Sequence, residues 1–263
     1  VAGGVRRLYG KESVMGSDLT GRVALVTGGG TGLGRAISLA LAAAGMDVAI
    51  NYSRSAADAE TTLADLQASG RRALAIQADV ADDAQVRAMV DRVAGELGRL
   101  DVLVNNAGMT VFVPFSDLEG MQEADWDRIM AVNTKGPWLC ARACAPVMRR
   151  TGGGHVINIT SVSGVQAGGS CLAYCVSKGA TEMLTKALAI ALAPDIAVNS
   201  IAPGLMDTRW GRLWGDEHFA RQAKANLLGR IPSLEDIADT AVYLARNRSV
   251  TGRTLIVDGG AIR

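Results

Sequence analysis

The stretch RVALVTGGGTGLGRAISLALAAAG, residues 22 to 45, decides the fold. It opens with a short apolar run rich in valine, the composition of a buried strand. Five of the eight residues from Thr27 to Gly34 are then glycine, and an apolar pattern at helical spacing follows from Leu33. Glycine admits positive φ and lets two backbones approach closely. A tight turn that delivers a strand into a helix also presents the helix's free N–H groups, a natural seat for a pyrophosphate.

The same rhythm continues along the chain. DVAINY (47–52), RALAIQADV (72–80), LDVLVNNAG (100–108), HVINITS (155–161), IAVNSIAPG (196–204) and TLIVDGG (254–260) read as further strands. Between them lie helical patterns: 55–70, stopped by Gly70; about 82–97; one long helix over 125–149; 173–193; and 234–247. Strands separated by helices, several of them continuously apolar, predict a parallel sheet covered on both faces. The fold expected is α/β: a single-domain, Rossmann-type doubly wound sheet of about seven strands. Nearly every distinctive motif follows a strand, on the carboxyl edge where such sheets bind ligands.

Bulk properties narrow the function. The 263 residues are 49% hydrophobic and 20% charged, enough to bury one large core. A formal net charge of +1 gives no global attraction to nucleic acid or an anionic membrane surface. No apolar run is long enough to span a bilayer, and residues 1–17 lack the apolar core of a secretory signal. Those seventeen residues are expected to form an N-terminal extension, with the domain running from 18 to 263 in a cytoplasmic protein. Cys140/Cys144 and Cys171/Cys175 form two C-x-x-x-C pairs in apolar, helix-like stretches, where cysteine packs as a small hydrophobe; no metal site is expected. His155 opens a strand and His218 lies in a polar stretch, so no serine-hydrolase triad forms around Ser161. The glycine loop lacks the G-K-[ST] of a P-loop nucleotidase.

The glycine spacing is T-G-x-x-x-G-x-G, with Gly28, Gly32 and Gly34. Downstream stand NNAG (105–108), Asn133 in MAVNTKG, Ser161, the pair Tyr174 and Lys178 in YCVSK, PGLMDT (203–208) and TGRTLIVDGG (251–260). In this order, from about Leu19 to Gly260, the chain resembles the short-chain dehydrogenase/reductase family, and in particular its 3-oxoacyl-(acyl-carrier-protein) reductases.

That resemblance implies a dinucleotide cofactor held by Gly28, Gly30, Thr31, Gly32 and Leu33. Asp79 and Val80 would lie near the adenine, and Asn106, Ala107 and Gly108 would line the cleft. Pro203, Gly204, Leu205, Met206 and Thr208 would border the nicotinamide carboxamide. The second strand ends Asn51-Tyr52-Ser53-Arg54 with no carboxylate to accept ribose hydroxyls, whereas Ser53 and Arg54 suit a 2′-phosphate. NADP(H) is therefore expected over NAD(H).

The implied catalytic residues are Asn133, Ser161, Tyr174 and Lys178. Tyr174 and Lys178, four apart on a helix, share a face, and the ammonium is expected to lower the phenol's pKa. By resemblance Lys178 also bonds the nicotinamide ribose, Ser161 orients a substrate carbonyl, and Asn133 holds a relay water. The reaction implied is reversible reduction of a small-molecule carbonyl, a ketone or 3-oxoacyl thioester, to a secondary alcohol. The alternatives are an NAD-preferring alcohol, sugar or steroid dehydrogenase, or a non-catalytic dinucleotide-binding scaffold; a scaffold would have lost Tyr, Lys or Ser, and all three are present. A homotetramer is expected by family analogy. The chain departs from the family pattern in a shorter LAPDIAVNSIAPG, with Ala197 where many relatives carry arginine, and in a longer segment over 112–127. Substrate choice is expected to reside in 110–115, 165–172 and 205–229. Trp210, Trp214 and Phe219 of the last segment read equally as an apolar lid or as interface or core residues.

Overall fold

The computed structural model describes residues 18–262; the expected N-terminal extension lies outside the described residues. Seven strands form one parallel sheet: β1 (Val23–Val26), β2 (Asp47–Tyr52), β3 (Ala73–Gln77), β4 (Val102–Asn105), β5 (Gly154–Ile159), β6 (Ile196–Pro203) and β7 (Thr254–Val257). Their order is β3-β2-β1-β4-β5-β6-β7. Register is continuous through the centre, where Leu25 stands opposite Ala49 on one side and Leu103 on the other. Side chains alternate across the sheet as period two requires. Val23 and Leu25 enter one core layer with Val93, Leu139 and Met148, while Ala24 and Val26 enter the other with Ile37, Leu41 and Ile237. Leu25 is fully buried, and truncating such a residue to alanine costs about 2–5 kcal/mol.

The helices on the two faces are α1 (Gly32–Ala43), α2 (Ala56–Ala68), α3 (Asp83–Leu97), α4 (Glu123–Met130), α5 (Gly136–Arg150), α6 (Leu172–Leu192), α7 (Arg209–Arg212), α8 (Asp216–Ala225) and α9 (Leu234–Arg246). Local chemistry sets their ends. Asp82 caps α3 by accepting from Gln85 N at 3.1 Å, and Gly98 closes it at φ 85°. Ser233 and Asp236 form a reciprocal capping box on α9.

One expectation needs correction. The helix read as continuous over 125–149 is interrupted by a π-helical turn, Ala131–Lys135, between α4 and α5. The apolar pattern survives such a turn, so periodicity does not reveal it. The segment 205–229, for which the sequence predicts no secondary structure, contains α7 and α8.

Because β1 lies between β2 and β4, the chain leaves the sheet in opposite directions after β1 and β4. A crevice opens there, at the carboxyl ends of the strands.

Candidate active site

The two loops flanking the crevice are stitched together. Thr27 Oγ1 accepts from Asn106 N and Ala107 N, both at 3.0 Å, and Asn106 Nδ2 donates to Thr27 O at 3.0 Å and Gly28 O at 3.1 Å. Gly28 (φ 62°) and Gly32 (φ 49°) take left-handed conformations. At Gly34 a Cβ would fall 2.1 Å from Gly28 O, so the helix can start this close to the loop only with glycine there. Asn51, buried at the end of β2, donates to Ala78 O at 2.9 Å and accepts from Gly29 N through its main-chain oxygen at 3.0 Å.

Thr31, the N-cap of α1, forms no side-chain cap, and the first turn holds no acid. The free N–H groups of that turn therefore face an uncompensated positive helix end. A Cβ on Gly32 would find nothing nearer than Thr208 Cγ2 at 3.7 Å, which leaves the loop surface open. Glycine loop and helix end together fit a pyrophosphate.

The crevice is a cavity of about 610 Å³. Gly28, Gly30, Thr31, Gly32 and Leu33 floor it, and Ser53, Arg54, Asp79 and Val80 border one end. Asn106, Ala107 and Gly108 form a side, with Tyr174, Lys178, Met206 and Thr208 at the other end. Pro203, Gly204 and Leu205 do not line it. Pro203 pairs with Val257 in the sheet, and Gly204 N donates to Val257 O at 3.0 Å. The sequence reading did not name Asn51, Met109 and Arg128 as site residues, and these also line the cavity together with Trp210 and Leu213 of the segment 205–229. Asn51 stands next to last in β2, and its buried role depends on Ala78, just past the neighbouring strand β3.

At the Tyr174 end the fold gathers groups from four elements. Lys178 is buried; its Nζ donates to Ile159 O at 2.9 Å and lies 5.6 Å from the centre of the Tyr174 ring. Burial lowers the Lys178 pKa to about 8, with Glu182 pulling it up. Burial raises the Tyr174 pKa and the Ser161 hydroxyl pulls it partly back. The expected lowering by Lys178 is therefore not seen: the ammonium is held against the ring by a strand carbonyl, and desolvation of the phenolate dominates. Ser161, after β5, accepts from Ser163 N at 3.1 Å.

Asn133 sits in the π turn and is 1% exposed. Its amide grips Met109 at both backbone atoms, accepting from N at 2.9 Å and donating to O at 3.0 Å, and also donates to Ser177 Oγ at 3.0 Å. Neither Asn133 nor Ser161 lines the cavity itself, but each braces a wall that does. Cys175, expected only to pack, donates from Sγ to Ser163 O at 3.0 Å, and Cys171 Sγ caps α6 by accepting from Tyr174 N at 3.4 Å.

A cover of α7 and the turn after it crosses the crevice. Arg209 pairs with Asp58 of α2 at 3.0 Å, and Trp210 and Leu213 face the cavity. Trp214 packs edge-on against Phe112 at 5.2 Å and stacks on His218 at 4.9 Å, whereas Phe219 lies beneath Gly211. Trp210 thus lines the cavity, and Trp214 joins Phe112 to His218 outside it.

A doubly wound sheet, a glycine loop feeding an uncapped helix end, and a Ser-Tyr-Lys cluster at the far end of one crevice define an NAD(P)-dependent oxidoreductase. The sequence pattern of the short chain dehydrogenase family matches residues 22–217, and the chain belongs to that family. It is 39% identical over 243 residues to a protein named as ketoacyl reductase 2 of the granaticin polyketide synthase of Streptomyces violaceoruber, covering 91% of this chain and 95% of that one. It is 38% identical over 240 residues to a 3-oxoacyl-[acyl-carrier-protein] reductase of Staphylococcus aureus, covering 90% and 96%. A short chain dehydrogenase from Burkholderia cenocepacia, crystallised in complex with NADP, superposes with a TM-score of 0.86 at 37% identity, covering 93% of this chain and 99% of that one. Among the described residues no helix is long and apolar enough to cross a membrane.

Proposed function

We propose that the chain, from residue 18 onward one catalytic domain, is an NADP(H)-dependent carbonyl reductase whose acid is Tyr174. The observation that carries this reading is the placement of the Ser161 hydroxyl and the Lys178 ammonium around one half-buried phenol at the end of the cavity. The bound dinucleotide supplies the hydride. Tyr174 delivers the proton to the carbonyl oxygen, and a phenol with a raised pKa keeps that proton at neutral pH. Ser161 Oγ accepts from Ser163 N, which leaves its own O–H to donate to the same oxygen. Lys178 spends one N–H on Ile159 O and has two more for ribose hydroxyls, while its charge steadies the phenolate once the proton has left. Asn133 fixes Met109 and Ser177, and its amide oxygen keeps one lone pair for a relay water.

NADP(H) is supported by Ser53 and Arg54 at the cavity wall and by the NADP bound in the Burkholderia relative. A 3-oxoacyl thioester is the favoured substrate class, on the names of the two reductase relatives. Beside Tyr174, Val111, Val113 and Trp126 pack on Ile129 and Cys171 in an apolar cluster, surroundings compatible with an acyl chain. Exposed Val176, Met183 and Ile190, seven apart along α6, support association into a homotetramer. Four free cysteines fit a reducing compartment such as the cytoplasm.

The test is Tyr174→Phe, assayed by NADPH consumption with 3-oxoacyl thioesters and simple ketones. Cofactor affinity should persist while turnover drops by about 10²–10⁴-fold. An unchanged rate removes Tyr174 as the acid.

A further inference from the structure

We propose that Glu182 is a positioning residue that keeps Lys178 in its charged form; the proposal rests on the Tyr174–Lys178 reading above. Glu182 follows Lys178 by four residues on α6, so the two share a face. The Cα–Cβ bonds of a helix tilt toward its N-terminus, which leans Glu182 toward Lys178. The carboxylate is fixed on the sheet: Oε2 accepts from Ser200 Oγ of β6 at 3.1 Å and from Thr254 Oγ1 of β7. The Lys178 ammonium meets the sheet one strand away, at Ile159 O of β5. Ile159 pairs with Ile201, the residue after Ser200, and neighbouring strands run about 4.8 Å apart. The two charged heads therefore end on adjoining points of β5 and β6.

The second carboxylate oxygen, Oε1, is buried and has no hydrogen-bond partner. A buried charge in that state is costly unless a cation lies near it, and Lys178 is placed to be that cation. Burial drives Lys178 toward the neutral amine, and Glu182 opposes the loss of its charge. The other elements packed on α6 bring no substitute. Strand β6 and the short 3-10 turn Val162–Gly164 carry no ionisable side chain, and the π turn carries Lys135, which is exposed. Helix α4 brings Glu123, Asp125, Asp127 and Arg128; α5 brings Arg142, Arg149 and Arg150, with Cys140 and Cys144 buried. Of all these groups and Tyr174, only Glu182 acts on the charge of Lys178. Glu182 does not line the cavity, so it acts on the reaction through Lys178 alone.

The test follows Lys178 by NMR of the full chain carrying lysine labelled with 13C at Cε, from about pH 6 to 10. The wild type, Glu182→Gln and Glu182→Asp are compared, with Lys178→Met to assign the resonance among five lysines and thermal melts to confirm folding. Gln keeps an oxygen for Ser200 and Thr254 without the charge, whereas Asp keeps the charge on a shorter stem. Lys178 should titrate near 8 in the wild type, about one unit lower in Glu182→Gln, and closer to the wild type in Glu182→Asp. The alkaline limb of kcat/KM should move with it, so Glu182→Gln loses up to about tenfold above that pH. A titration unmoved in Glu182→Gln overturns the proposal and leaves Glu182 as a tie between α6 and the sheet. So does a Glu182→Asp titration displaced as far as that of Glu182→Gln. A titration that moves while the rate profile stays put upholds the role of Glu182 and overturns that of Lys178 in turnover, so the two readings fail separately.

Discussion

The Lys178 ammonium lies 5.6 Å from the centre of the Tyr174 ring and is held there by the Ile159 carbonyl, 2.9 Å from Nζ. Two residues four apart on α6 are therefore tied to the end of β5, and the helix cannot rotate without breaking the buried bond. Their pKa values are pushed apart in a useful way. The phenol is raised and stays protonated at neutral pH, whereas the lysine, lowered to about 8 by burial, begins to lose its charge just above it.

The first prediction follows from that order. Deprotonation of Lys178 removes the charge that steadies the phenolate, so kcat/KM for carbonyl reduction should decline as pH rises through about 8. Lys178→Met should lose about 100-fold or more in turnover and show no limb near that pH. Initial rates with NADPH from pH 6.5 to 9.5 check both; a flat wild-type profile would rule out the lysine's role.

Asn133 carries the second prediction. Its amide satisfies the backbone N–H and C=O of Met109 beside the cavity and meets Ser177 on α6. The adjoining main-chain oxygen accepts from Thr181 Oγ1 at 2.8 Å. Asn133→Ala leaves buried partners unsatisfied at about 1–3 kcal/mol each. Urea unfolding should show a loss of at least about 2 kcal/mol, accompanied by reduced turnover. Lost turnover at undiminished stability would point instead to a relay role alone.

These residues also show what the sequence could convey. The glycine loop, the succession of strands and helices and the Tyr-Lys pair were legible because each is local, written in the composition and spacing of neighbouring residues. The π turn at Asn133 was not, since apolar spacing tolerates one widened turn. The lysine's effect on Tyr174 was misjudged because spacing gives a shared face but not the strand carbonyl that anchors the ammonium. Arg128 was invisible for a similar reason: its partner Asp79 lies 49 residues earlier, after β3, and nothing local in the sequence joins the two.

The last prediction concerns stability away from the site. His155 opens β5, beside Val102 in the sheet, and is 7% exposed, with Nδ1 buried and unpartnered. Burial lowers its pKa from 6.5 to about 4; Arg22 and Arg248 lower it further and Asp101 opposes them. Between those values the unfolded chain binds a proton that the folded chain refuses. Stability should therefore be intact above about pH 6.5 and fall as pH drops toward 4, by up to about 3 kcal/mol. Carboxylates also titrate toward the acid end of this range, so the comparison must be with His155→Val, which removes the imidazole and keeps a β-branched residue in the strand. Urea melts at pH 7, 5.5 and 4.5 should show a steeper decline in the wild type than in the variant, and parallel declines would mean that His155 takes up its proton in the folded state.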